Sequence, residues 1–181
     1  TTMILPVRGR IAFEQLIPTF AGGDFEAWLG LGEAGGRALL SVERTGINLL
    51  IDRGPESGDH GEQTFVEGGP AAYFSRLPVA ALAEAMTAAG APSAVSNTAG
   101  TYICNEFIYT MQHHLETVGR DVPSGFIHLP YLPEQVAERP GVPSMNLETQ
   151  LLGVRTAIEF IRDLVGAPAA AGATGAAGWT P

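Results

Sequence analysis

Short apolar runs alternate along this chain with longer segments of helical period, and nearly every one is closed by Gly or Pro. The 23 glycines and 13 prolines among 181 residues make turns frequent. Strand-like runs are Ile4–Val7, Phe25–Leu31, Leu39–Ile51 (extended, rich in β-branched and aliphatic residues), Ser93–Ser96 and Phe126–Leu129. Helical periodicity covers Arg10–Phe20, Pro78–Ala89, Thr101–Val118 and Ser144–Val165. In the last of these, Leu147, Leu151, Val154, Ile158, Ile161 and Leu164 share one face, which is the expected core face. Strands alternating with helices predict a three-layer α/β/α sandwich around a mostly parallel sheet.

The length suits one domain with a sizeable core, expected over 1–165. Residues 166–181 are Ala/Gly/Pro-rich and read as a mobile tail. Hydrophobic residues make up 45% and charged residues 16%, which argues against a chain disordered throughout. The net charge of −9 comes without any basic stripe, so no nucleic-acid partner is expected. No apolar run approaches the roughly 20 residues of a membrane-spanning helix, and the opening Thr1–Pro6 is too briefly apolar for a signal peptide. A cytoplasmic location follows as an expectation. The single cysteine, Cys104, excludes an intramolecular disulfide and any multi-cysteine metal site. Gly54–Gly69 holds five glycines and many charges and reads as a long surface loop.

A lone cysteine is ordinarily a small buried hydrophobe. Cys104, however, falls in the first turn of a predicted helix just after a Gly turn. Free N–H groups and the helix dipole there favour a thiolate. A nucleophilic thiolate needs a base. Among the four histidines, His60 lies in the glycine-rich loop, and His113 and His114 read as a solvated helix surface. His128 ends an apolar strand just before Pro130, at the sheet edge where α/β active sites form. A third, orienting group is expected to be a carboxylate, and Glu43 is one candidate. Pairing with Arg44, or plain exposure, is the alternative for that residue.

Ser96-Asn97-Thr98-Ala99-Gly100-Thr101-Tyr102-Ile103-Cys104-Asn105, Gly125-Phe126-Ile127-His128-Leu129-Pro130-Tyr131-Leu132-Pro133-Glu134-Gln135, Glu43-Arg44-Thr45-Gly46-Ile47-Asn48 and Glu33-Ala34-Gly35-Gly36-Arg37 occur in this order. Gly69–Tyr73 and Leu77-Pro78 accompany them. In these motifs, from about Ala27 to Leu164, the chain resembles the type I pyroglutamyl peptidases, or pyrrolidone carboxyl peptidases. The resemblance implies an α/β/α fold, often assembled as a homotetramer, and release of N-terminal pyroglutamate from peptides without a cofactor or metal. It implies Cys104 as nucleophile, His128 as general base and acid, and Glu43 as the histidine's partner. It places Arg53 near the oxyanion and makes Tyr102 and Ile103 pocket walls.

Three departures accompany the resemblance. The family opens with a strand, a Gly-Phe-x-Pro-Phe-Gly motif and a helix that supply pocket aromatics; this sequence has no counterpart and joins the pattern at Ile4–Val7. Glu33 stands where the family commonly has glutamine, which puts a carboxylate near the expected pocket. The loop after Arg53 is longer, with Glu56 in place of an aspartate. The rival expectation is an inactive, truncated member that serves as a binding or assembly subunit. A weaker third is a thiol amidohydrolase with another substrate. The intact Glu43, Cys104 and His128 set favours the peptidase.

Overall fold

The computed structural model describes residues 2–7, 12–21, 23–51 and 62–167. A central sheet holds β1 (Trp28–Glu33), β2 (Leu40–Glu43), β7 (Ser93–Ser96) and β8 (Ser124–Leu129) in the order β1-β8-β2-β7. β8 runs parallel to β1 and antiparallel to β2, and β2 runs parallel to β7. Two small antiparallel pairs sit outside it: β3 (Thr45–Ile47) with β6 (Ala72–Phe74), and β4 (Leu50–Ile51) with β5 (Glu62–Gln63).

Helices cover both faces, as the predicted sandwich requires. Along β8, side chains alternate between the two sides of the sheet. Ile127 joins Leu40 and Val42 under α2 (Val79–Ala88) and α4 (Leu147–Gly166), with Leu82, Met86, Ala157 and Ile161. Phe126 joins Trp28 under α3 (Ile103–Thr117), with Ile108, Met111 and Leu115. Leu16, from the π turn Ala12–Leu16 that enters the short α1 (Ile17–Ala21), completes that second core. The buried Gln112 amide bonds the Ser124 hydroxyl and carbonyl, which fixes α3 over the start of β8.

Several expectations need correcting. Ile4–Val7 forms no strand: Ile4 is 94% and Val7 79% exposed, and no described strand lies alongside to bond their backbone. Only Leu5 packs inward, with Phe20 and Phe25. The first strand starts at Trp28 rather than Phe25, because Phe25 is held edge-on by Phe20 and covered by the Arg120 guanidinium. Of the loop expected over Gly54–Gly69, residues 54–61 lie outside the described residues, and so does the tail from 168. In the remainder, Glu62–Gln63 pairs with β4, and Phe65 is buried against Leu50 and Tyr109.

The fourth helix is rotated from its expected setting. Gln150, Gly153, Ala157 and Ile161 are buried, whereas Leu147 and Ile158 are each 55% exposed and Leu151 is also exposed. The cause is Gly153. A Cβ there would overlap Leu40 Cδ1 and press on Ala91 and Met86, so the bare Cα lets the helix axis approach the sheet. A face of small residues therefore packs more closely than the leucine face. Gly153→Val is expected to cost about 1–3 kcal/mol through overpacking, although Val is the better helix former. Leu40→Val in the same chain should recover part of it. Urea midpoints of the three variants check this, and a Gly153→Val chain as stable as the parent would refute the close-approach account.

Candidate active site

Register and alternation bring three expected residues to one side of the sheet. His128 lies opposite Ser41 across the antiparallel pair, and Glu43 opposite Phe126. Cross-strand partners share a face, so His128, Phe126 and Glu43 all look toward α3. Cys104, in the first turn of α3, comes down on the same side. Its sulfur sits 3.2 Å from the position a Cβ on Gly32 would take, and Gly32 is the β1 partner of His128. Gly30 and Gly32 lack side chains where the Phe126 ring crosses β1. That ring in turn meets His128 edge-on at 5.0 Å.

His128 Nδ1 lies 2.7 Å from Glu43 Oε1 in a buried pair. A neutral imidazole that donates from Nδ1 to the carboxylate keeps its Nε2 lone pair free to accept a proton. Glu43 is fully buried, and its cation partner is Arg37 at 2.6 Å rather than the neighbouring Arg44. Arg37 Nη2 also donates to the Thr98 carbonyl at 3.1 Å. Glu43 Oε2 is buried without a hydrogen-bond partner.

Cys104 departs from the expected activated thiolate. Burial, and then the negative charge of Glu43, push its thiol up to about 11. Arg37 and the backbone N–H of Cys104 pull the other way without overcoming them. Among the described residues the Cys104 side chain makes no hydrogen bond to His128; the made link is His128 to Glu43.

The other candidates are placed as follows. Glu33 is exposed at the end of β1, where its carboxylate accepts from Gln135 Nε2 at 2.6 Å. Gln135 Oε1 accepts from the Leu132 N–H, so Glu33 is tied to the segment that follows β8. Ile103 is buried, and Tyr102 is half-buried beside Leu50, Phe65 and Tyr109. Arg53 and His60 lie outside the described residues. His113 and His114 are half-buried rather than solvated: the Tyr73 hydroxyl lies 2.9 Å from His113 Nδ1, and the His113 ring stacks on Tyr109. Burial, followed by Arg120 and His113, lowers the pKa of His114. No group of three His, Cys, Asp or Glu residues is arranged to hold a metal ion among the described residues.

Two contributors escaped the sequence reading. Arg37 was visible only as the end of a glycine-rich turn. Asn105, buried next to Cys104, accepts from the Ile47 N–H and donates to the Ile47 and Leu49 carbonyls, which fastens the β3–β4 segment to the start of α3. No apolar pattern pointed to Asn105, because the buried positions of this helix also include Glu106, Thr110 and Gln112.

The sequence profile of the pyroglutamyl peptidase family matches residues 1–163. The pyrrolidone-carboxylate peptidase of Yersinia pestis (strain Pestoides F) is 44% identical over 134 residues, 73% of this chain and 62% of the relative. That of Yersinia pseudotuberculosis serotype O:3 (strain YPIII) matches at the same identity and coverage. The chain thus spans about three fifths of the length of these curated relatives. Among solved structures, the pyrrolidone carboxyl peptidase of the hyperthermophile Pyrococcus furiosus superposes with a TM-score of 0.83 at 36% identity, covering 89% of this chain and 80% of that one. Its A199P mutant gives 0.81 at 36%, over 88% and 79%. With the motifs, the fold and the buried Glu43–His128 pair in agreement, the chain belongs to the pyroglutamyl peptidase family.

Proposed function

We propose that this chain carries the catalytic groups of a cysteine exopeptidase that hydrolyses the bond after an N-terminal pyroglutamate. The observation that carries the reading is the buried His128–Glu43 hydrogen bond on the face of the sheet where the start of α3 delivers Cys104. Glu43 orients the ring, and His128 Nε2 takes the thiol proton as the sulfur attacks the pyroglutamyl carbonyl carbon. A thiol held up near 11 suits this order of events, in which the proton leaves during attack rather than beforehand. The Cys104 backbone N–H, with Arg53, stabilises the tetrahedral oxyanion; one such donor is typically worth about 3–4 kcal/mol. As the carbon–nitrogen bond breaks, the imidazolium gives its proton to the departing amine. Water, deprotonated by His128, then attacks the thioester carbon; the carbon–sulfur bond breaks to release pyroglutamate, and the imidazolium returns the proton to sulfur.

Tyr102 and Ile103 form part of the pocket wall in this proposal, and Glu33 stands at its rim. A cytoplasmic setting belongs to the same reading, because the single thiol must remain reduced to act. Among the described residues, no helix is long and apolar enough to cross a membrane. Homo-oligomeric assembly, a tetramer by the resemblance, is supported by the apolar stripe of Leu147, Leu151 and Ile158 that α4 leaves exposed.

Three tests follow from this reading. On a pyroglutamyl coumarylamide, Cys104→Ala, His128→Ala and the double variant are expected to fall to similar residual rates, roughly 10⁴-fold or more below the parent, because the groups act as a unit. Glu43→Gln should lose less, since the amide oxygen still accepts from Nδ1. Multiplying losses would contradict the coupling, and a parent chain with no turnover would favour the inactive-subunit reading. Second, iodoacetamide should alkylate native Cys104 more slowly at pH 7 than a model thiol, with a rate that climbs up to about pH 11. A plateau below pH 8 would mean that a thiolate–imidazolium pair exists at rest. Third, Leu151→Glu with Ile158→Glu should reduce the mass measured by light scattering while the fold persists; an unchanged oligomer would exclude α4 from the contact.

A further inference from the structure

We propose that Arg37 is a positioning residue: its guanidinium clamps the Glu43 carboxylate against the turn leading into α3, and so fixes the His128 ring that Glu43 holds. The inference rests on the catalytic reading above and adds a fourth side chain to it. Glu43 Oε1 receives both links, from Arg37 Nη1 at 2.6 Å and from His128 Nδ1 at 2.7 Å. Its other oxygen has no hydrogen-bond partner, so among the described residues Arg37 and His128 make the hydrogen bonds that hold the carboxylate. The second arm of the fork reaches the Thr98 carbonyl at 3.1 Å, and the Ser96 hydroxyl donates to that same carbonyl at 3.0 Å. Ser96 is the β7 partner of Glu43, and the turn passes through Gly100, with φ of +79°, into the helix that carries Cys104. Arg37 thus spans β2 and the approach to the nucleophile with one rigid planar group.

The local sequence explains how Arg37 gets there. After β1 the chain turns through Gly36 at a φ of +81°, a conformation that side-chain-bearing residues avoid. A Cβ on Gly35 would overlap the Tyr131 ring, so the turn lies flat on the segment following β8. The next residue is Arg37, about a quarter exposed, with its head group turned inward to a fully buried carboxylate. A buried carboxylate needs a cation nearby to offset its lost hydration. Arg37 from the β1–β2 turn pairs with Glu43, and Cys104 from α3 lies within the field of both charges.

The experiment is a double-mutant cycle joined to a readout that needs no turnover. Arg37→Gln is expected to lower kcat about 10- to 100-fold, the effect of removing a charged hydrogen bond, with KM within about twofold. In a Glu43→Ala background, which leaves no oxygen for Arg37 to hold, the same change should cost almost nothing. Arg37→Lys, which restores the cation, should recover most of the loss. In 15N-histidine-labelled protein, the downfield Nδ1–H resonance that His128→Ala removes should broaden or vanish in Arg37→Gln and return in Arg37→Lys. Equal losses in both backgrounds, or a resonance indifferent to Arg37→Gln, would overturn the proposal. If the parent chain proves inactive on pyroglutamyl substrates, the resonance still decides the role of Arg37, and the two readings fail separately. If Arg37→Gln does not fold, Arg37→Lys decides: a folded Lys variant without the resonance overturns it.

Discussion

The site depends on the placement of β8 between β1 and β2, parallel to one and antiparallel to the other. In a wholly parallel sheet, side chains at the carboxyl ends of neighbouring strands meet along one edge. Here β2 runs against β8, so its last residue, Glu43, lies opposite Phe126, two residues before His128. A carboxylate at the end of one strand thereby reaches back to an imidazole near the end of another. The register is pinned from both faces: Ile127 is fully buried beneath α2 and α4, and Gln112 of α3 holds Ser124. A one-residue slip would turn His128 into the opposite core.

Glycine sets the distances around that register. Gly30 and Gly32 let the Phe126 ring lie across β1, and Gly32 gives Cys104 its approach. Gly153 does the same on the far face by seating α4 on Leu40. These close approaches act on different layers, yet each replaces side-chain volume with backbone proximity. A large side chain at any of them would thicken the sandwich and separate elements whose geometry the site needs.

Much of this was legible in the residues. Strand and helix alternation indicated the three layers, and the helical period located α2, α3 and α4 to within a few residues. The motifs around Glu43, Cys104 and His128 indicated which side chains to watch. What stayed hidden were contacts between segments distant in sequence. Arg37 and Glu43 are six residues apart, but their pairing depends on a left-handed turn and a buried strand end that periodicity does not report. The leucine face of α4 scored as core by pattern, whereas packing selected the face carrying Gly153, because a small residue allows closer contact with a flat sheet. Ile4–Val7 reads as a strand by composition, but a strand is made by its neighbour, and no described strand lies beside it.

The electrostatics of the site follow from one oxygen. Glu43 Oε1 accepts two charge-assisted or strongly polar bonds while Oε2 accepts none. Leaving a buried acceptor bare costs about 1–3 kcal/mol, more for a charged group. The two bonds to Oε1 offset that cost only while both donors stay aligned. Burial raises the Cys104 thiol and the same negative charge raises it further, so the carboxylate that holds the His128 ring also opposes ionisation of that thiol. On the proposed mechanism the proton leaves sulfur only as a bound carbonyl receives the electrons. A thiol kept protonated in this way is shielded from adventitious oxidants and alkylators, since the thiolate is the reactive form. In the proposed mechanism the orientation of the base and the resistance of Cys104 to ionisation thus meet in one group, the Glu43 carboxylate, which adds to the larger effect of burial.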